Sequence, residues 1–380
     1  MFNKIKNIVV TSLFVVFIAF FSALCIIGIF NPKEMSESER RPLAQFPSNI
    51  TWQGIVDKTA INAFDKASVE QFPFREFFRS IKANIQYNIL GLKENNGLAI
   101  ENGYIGKIET EFNEAFVGNS IAKIEDLYNN QILGKAENVF VSIIPDKNYY
   151  LGKDYGYPAA DYKALVERLL SKLPESEYID IFEELELEDF YRTDTHWDQS
   201  KILDVVAKLS LHMGFEVSGN YTENKLEEFE GVYYGQSAIK PNKDTLTYLT
   251  NDIISSLKVQ DVYNNKFLDV YALDLFEGED GYNVFLSGAA GNPMLRIINP
   301  NANNDKTLVI FRDSYGSSIS PLIAEGYRTV YVIDIRSVSY QLLDDKTMPD
   351  GSRNPYYIDF TDKDVLFLYS ALVLNSNSFK

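Results

Sequence analysis

Cysteine is almost missing from this 380-residue chain. The single one, Cys25, lies inside an apolar run, so the remainder forms no internal disulfide and offers neither a thiol nucleophile nor a cysteine metal site. Histidine is nearly as scarce: His196 and His212 are too few ligands for a zinc site, and neither a metal nor a cofactor is expected. Basic residues are also in deficit, with 36 Lys and Arg against 53 Asp and Glu and a net charge of -17. A nucleic-acid groove needs clustered cations to neutralise phosphates, so that class of partner is excluded. The acidic balance reads as a solvated surface. What the chain does have is 46% hydrophobic and 14% aromatic residues, enough to bury a sizeable core.

One long run carries no charge at all, the 23 residues from Ile8 to Phe30, preceded by Lys4 and Lys6. At 1.5 Å per residue it is long enough to cross a roughly 30 Å hydrocarbon layer. Ala23-Leu24-Cys25 places bulky or mismatched residues where a cleavage site needs small ones, and Leu24 is too bulky for a lipidated cysteine. The expectation is an uncleaved single-pass anchor at the cell membrane, with residues 1–7 inside and the trailing domain exported; Lys33, Arg40 and Arg41 beyond the run leave the charge rule undecided.

Residues 31–49 are polar and punctuated by Pro32, Pro42 and Pro47, the pattern of a linker. Phe64 to Leu92 suggests helical segments broken at Pro73, and residues 31–110 are read together as linker and helical lead-in. From Asn138 the rhythm alternates. Strands are expected at 139–144, 178–182, 307–311, 329–335 and 364–369, and helices at 161–173, 198–213 and 315–325, with Asp198 as an N-cap and Gly214 as a stop. Strands alternating with helices imply an α/β domain over 111–380, a parallel sheet with helices on both faces and ligands at the carboxyl ends of the strands. Residues 215–300 lack that rhythm and read as an insertion of short strands and loops.

Two short blocks carry the chemistry. In Tyr191-Arg192-Thr193-Asp194-Thr195-His196-Trp197 a carboxylate stands two residues before an imidazole, the pairing of a general base. In Phe311-Arg312-Asp313-Ser314-Tyr315-Gly316 a hydroxyl appears where an apolar strand gives way to a helix, with helix-end amides nearby to steady an oxyanion. Ser314 is either a nucleophile or simply a helix cap, a role Asp313 fills equally well. Asp194-x-His196 is either part of a triad or a local hydrogen bond at a helix start. His212 reads as a helix-end residue. The acidic run Glu183–Asp189 fits a solvated face better than a glycosidase carboxylate pair. Lys147, Trp197, Arg312 and Tyr315 are candidates for lining the cleft, and Arg336 for an ion pair.

In combination, the DTHW block, the RDSYG block and the strand Tyr331-Val332-Ile333-Asp334-Ile335-Arg336 resemble the DHHW proteins, relatives of the alginate O-acetyltransferase group within the SGNH hydrolase superfamily. Ser36–Pro47 (SESERRPLAQFP), Phe72–Arg75 (FPFR), Pro145–Lys147, Tyr282–Gly288 (YNVFLSG) and the terminal VLFLYS extend the likeness over most of the chain. Thr195 stands where the DHHW name expects histidine, as it does in the alginate relatives. The resemblance implies a flavodoxin-like SGNH core in which Asp194, His196 and Ser314 form a catalytic triad. It also implies a second oxyanion donor after the FL-x-G strand, for which Gly288, Gly291 and Asn292 compete. It further implies an O-acetyltransferase or acetylesterase acting on a surface polysaccharide, with a polytopic membrane-bound O-acyltransferase as the partner that supplies acetyl groups. The competing expectation is a non-catalytic glycan-binding or assembly protein on the same fold, with Tyr221, Tyr233, Tyr234, Tyr248, Tyr263 and Tyr271 stacking on sugars.

Overall fold

The computed structural model describes residues 2–239, 242–288, 292–348 and 350–379. The chain divides into two compact units, Met1–Asn95 with Tyr234–Lys240, and Asn96–Tyr233 with Pro241–Lys380.

The first unit begins with the helix Phe2–Phe30, which is long and apolar enough to cross a membrane by length and composition. The next stretch is not the open linker that its prolines suggest. Met35–Ser36 and Arg41–Pro42 pair as a small hairpin, and the buried Glu39 carboxylate at its turn meets Arg41, Arg75 and Arg79 at 2.9, 2.8 and 2.7 Å. Order here comes from side chains that neutralise one another, which proline content does not report. The helical lead-in resolves into Thr59–Glu70 and Arg75–Asn84, separated around Pro73 as expected; Arg75–Asn84 runs on into a π-helical turn, Ile85–Ile89.

The second unit is built on an eight-stranded sheet. Its strands in chain order are β1 (Asn138–Ile144), β2 (Glu177–Tyr178), β3 (Lys258–Asp261), β4 (Lys266–Leu268), β5 (Met294–Ile298), β6 (Thr307–Arg312), β7 (Thr329–Ile333) and β8 (Asp364–Ser370). Their spatial order is β4-β3-β5-β7-β6-β8-β1-β2. β7, β6, β8, β1 and β2 run parallel, and β5, β3 and β4 extend the sheet antiparallel. The sheet is therefore mixed, and part of the expected insertion belongs to it. These antiparallel strands are short and joined by loops, so the helix-strand rhythm that marks parallel units is missing there.

The central strands are nearly continuous apolar runs because both faces are covered. Leu308, Ile310, Val330, Val332, Leu366 and Leu368 point to one core; Val309, Phe311, Ile333, Val365, Phe367 and Tyr369 point to the other, with the period of two that a strand imposes. Helices Leu203–Met213 and Tyr315–Ile323 cover the first face, and Glu114–Leu127 and Tyr162–Leu170 the second. Asp161, expected as the first residue of its helix, caps it by accepting the Ala164 amide, and Gly214 ends another helix in the left-handed conformation. Two expectations shift. Of the expected 178–182 strand only Tyr178 pairs, together with Glu177 before it, since Asp180 accepts from the Phe182 amide and bends the chain into a 3-10 turn. Asp198 caps a 3-10 turn, Gln199–Lys201, and the α-helix itself starts at Leu203.

Candidate active site

At the carboxyl end of β6 the chain turns at Asp313 into the helix Tyr315–Ile323. The cap is Asp313: its Oδ1 accepts the Tyr315 amide at 2.9 Å, while Oδ2 accepts the Ser370 amide and hydroxyl at 2.7 and 2.6 Å, tying the end of β6 to the end of β8. Ser314 makes no capping bond. Its hydroxyl is turned outward, and it is the one residue from Leu308 to Tyr327 that is not buried. The Arg312 side chain folds back over Gly316, where a Cβ would stand 2.5 Å from Arg312 Cβ, so glycine is required two residues after the serine.

The Ser314 Oγ lies 2.8 Å from His196 Nε2, and His196 Nδ1 lies 2.6 Å from Asp194 Oδ1. Asp194 and His196 are both buried. Asp194 also accepts the backbone amides of His196 (3.0 Å, Oδ1) and Val232 (2.9 Å, Oδ2). Burial by itself would raise the Asp194 carboxyl, but the imidazole of His196 and these amides outweigh it and hold the carboxyl well below its ordinary range. An ionised Asp194 fixes a proton on Nδ1 and leaves Nε2 to accept from the serine hydroxyl.

The loop that carries this pair is gripped from both sides. Asp244 accepts the amides of Arg192 and Thr193 at 3.0 and 2.7 Å and the Thr193 hydroxyl at 2.6 Å. Lys147 Nζ donates to the carbonyls of Ile105, Tyr191 and Arg192 at 2.7, 2.5 and 3.1 Å and sits 5.4 Å from the Tyr233 ring centre. Burial draws the Lys147 ammonium down to about 7, against the charges of Asp244 and Asp194. Gly231 closes the loop from outside: its amide donates to Thr193 Oγ1 at 3.0 Å, and a Cβ there would stand 2.3 Å from the Thr193 carbonyl oxygen. The Tyr104–Lys107 strand adds a bond from the Ile105 amide to the Arg192 carbonyl at 2.8 Å.

The four residues expected to line a cleft are instead buried. Lys147, Trp197, Arg312 and Tyr315 support the site from beneath. Trp197 Nε1 donates to Ser318 Oγ at 2.8 Å, and the Tyr315 hydroxyl donates to the Thr195 carbonyl. Arg336 forms a bidentate pair with Asp334, as an ion-pair residue would. Of the oxyanion candidates, the Gly288 amide donates to the Phe285 carbonyl at 3.2 Å, and the Asn292 carboxamide makes one long bond of 3.4 Å to Ser287. Gly291 lies outside the described residues. The amides of Tyr315, Gly316 and Ser317 are already bonded to Asp313 and Ser314.

Elsewhere, His212 is at a helix end, 2.6 Å from Glu177. Glu183 and Glu184 pair with Lys153 and Lys208 on a solvated face. The tyrosines offered for sugar stacking mostly pack: Tyr233 is buried, Tyr271 lies against Tyr248 and Phe285, and Tyr263 stacks on Tyr356. Sequence reasoning missed Asp244, Gly231, Val232 and the role of Tyr282. Only Tyr282 had a signal, the YNVFLSG block; a lone Asp or a Gly-Val pair in an irregular region carries none.

Neither a family model nor a curated protein sequence matches the chain. Solved structures do. A DHHW family protein from Eubacterium siraeum superposes with a TM-score of 0.57 at 21% identity, over 75% of this chain and 94% of that one. Bacillus cereus PatB1 gives 0.54 at 18% identity, over 75% and 99% of the two chains. PatB1 with a sulfonyl adduct gives 0.50 at 18% identity, over 74% and 97%. At these identities the likeness is one of fold: the α/β sheet that the sequence resemblance implied is shared with the DHHW protein and with PatB1.

Proposed function

We propose that this chain is a serine O-acyltransferase or esterase, anchored in the cell membrane with its catalytic unit outside, that moves acetyl groups to or from hydroxyls of a surface polysaccharide. The observation that carries the reading is the unbroken line Ser314 Oγ, His196 Nε2, His196 Nδ1, Asp194 Oδ1, at 2.8 and 2.6 Å, ending on the only accessible residue of the β6-helix turn.

In this reading Ser314 Oγ attacks the acyl carbonyl carbon while its proton passes to His196 Nε2, and Asp194 stabilises the imidazolium. The tetrahedral oxyanion needs fixed donors. Because the next three amides of the turn are committed, Ser314's own N–H supplies one, and Gly288, Gly291 and Asn292 remain the candidates for a second. Collapse expels the donor alcohol, which takes the proton from His196. The imidazole then removes a proton from a sugar hydroxyl or a water, whose oxygen attacks the acyl-enzyme and releases Ser314. The acceptor alone distinguishes transferase from esterase. A membrane-bound O-acyltransferase that delivers acetyl groups across the bilayer is the donor partner in keeping with the anchor.

Incubation with an activated acetyl ester followed by peptide mapping tests this. Wild type should carry the acetyl group on Ser314 and be inactivated by a sulfonyl fluoride at the same residue. Unchanged ester turnover by Ser314→Ala would overturn it.

A further inference from the structure

Within the first unit, the helix Arg75–Asn84 and its continuation Ile85–Ile89 have two unlike faces. Arg75 and Arg79 reach Glu39, and Ala83 is buried, so one side is committed to the unit itself. The other side presents Phe74, Phe77, Ile81, Ile85 and Ile89, which are 69, 62, 41, 42 and 73% exposed. Phe77, Ile81, Ile85 and Ile89 follow one another at four, which puts them in one stripe along the helix, and Phe74 is the residue that caps its start. A water-facing stripe of this size is unusual for a soluble surface.

Its neighbour decides what covers it. The Phe21 ring of the N-terminal helix lies 6.0 Å from that of Phe72, nearly parallel, and 6.3 Å from that of Phe78. Phe21 is nine residues before the helix end at Phe30, about 13 Å along the axis. The register is held at the helix exit, where Gln71 bonds both the amide (2.7 Å) and the carbonyl (2.8 Å) of Lys33. If Phe30 marks the edge of the hydrocarbon, segment 72–78 lies below that edge, and the apolar stripe continues the outer wall of the spanning helix.

We infer that residues 74–89 form an amphipathic helix embedded in the leaflet on the domain side of the membrane, with Phe74, Phe77, Ile81, Ile85 and Ile89 against lipid acyl chains. The ion pairs of Glu39 with Arg75 and Arg79 neutralise the charges on the opposite face, which makes that depth tolerable. The inference rests on the N-terminal helix spanning the bilayer, and the test separates the two.

The full chain is reconstituted in phosphatidylcholine vesicles and labelled with an environment-sensitive fluorophore at one site at a time. The sites are the native Cys25, and Ile81→Cys or Lys163→Cys in a Cys25→Ser background. Lipids spin-labelled along the acyl chain are the quencher. The expected result is blue-shifted emission quenched by about half or more at positions 25 and 81, with position 163 in water and unaffected. Quenching at 25 with water-like, unquenched emission at 81 overturns the inference while leaving the span intact. No quenching at 25 removes the span and the inference together. Blue-shifted emission at 81 that no lipid quenches, and that varies with the protein-to-lipid ratio, assigns the face to a second copy instead of lipid and also overturns it.

Discussion

The Tyr282 ring lies flat on the His196 imidazole, with centroids 3.8 Å apart and planes 6° from parallel. The Tyr282 hydroxyl donates to Ser318 Oγ at 2.8 Å, the same oxygen that accepts Trp197 Nε1, so Tyr282 and Trp197 share one anchor. The stack restricts ring rotation and places a π-face against the imidazolium that the proposed mechanism forms. Tyr282→Phe keeps the ring and should lose less than about threefold in kcat. Tyr282→Ala removes the platform and should lose on the order of 10- to 100-fold, with KM little changed. Steady-state kinetics of ester turnover separate the two; equal losses in both variants would assign the effect to the hydroxyl instead of the stack.

Gly231 tests how closely the loop must be held. An added Cβ would meet the Thr193 carbonyl oxygen at 2.3 Å and Asp194 Cβ at 2.4 Å, both rigid parts of the site. Gly231→Ala must therefore push the Thr193-Asp194 backbone away, and a displacement near 1 Å costs on the order of 100-fold in rate. The expected result is a loss of turnover well beyond the loss of folded protein, read by comparing specific activity with circular dichroism melting. Retained activity would show that the loop yields without moving the carboxylate.

Lys147 and Asp244 hold the same loop through opposite groups, one through carbonyls and the other through amides. Lys147→Met keeps the volume and removes the Nζ donor from three carbonyls, of which that of Arg192 keeps the Ile105 amide, at an expected cost of about 2 to 4 kcal/mol. Asp244→Asn turns an NH2 toward donors and should cost about 1 to 3 kcal/mol. Because the two act on adjacent peptide groups, the double variant should lose less than the sum of the single losses in urea denaturation. Strict additivity would mean that the clamps are independent.

The serine, the imidazole and its carboxylate were legible because each stands beside a change of periodicity: Ser314 where a buried strand ends, Asp194 and His196 before an amphipathic helix. The central strands were legible for the same reason, since burial on both faces leaves apolar runs that polar residues interrupt only at the ends. The clamp was not. From sequence Lys147 reads as a cleft residue, because the three carbonyls that surround it come from residues 105, 191 and 192, and backbone acceptors leave no trace in composition. Asp244 opens the strand Asp244–Thr250, in a stretch of sequence without clear periodicity where any acidic residue looks solvated. The Glu39 network was hidden in the same way, by prolines that suggested an open linker.

Asp146 gives a pH prediction with a definite sign. Burial, the largest influence, raises its carboxyl from 3.8 to about 6, in spite of bonds from the Tyr162 hydroxyl and the Asn148 amide to Oδ1. Its other oxygen, Oδ2, is buried and has no hydrogen-bond partner among the described residues. With the folded value above the unfolded one, the native protein holds more protons between them. The stability contributed by this group is therefore complete below about pH 3.8 and is lost as pH rises through 6. Asp146→Asn keeps an acceptor for the two bonds to Oδ1 and cannot ionise. Relative to wild type, the variant should gain up to about 3 kcal/mol between pH 4 and pH 7.5, a little over two pKa units of linkage. Denaturation curves for the two proteins across that range check it. A constant difference at every pH would mean that Asp146 ionises as readily in the folded protein as in the unfolded chain, and that burial does not govern it.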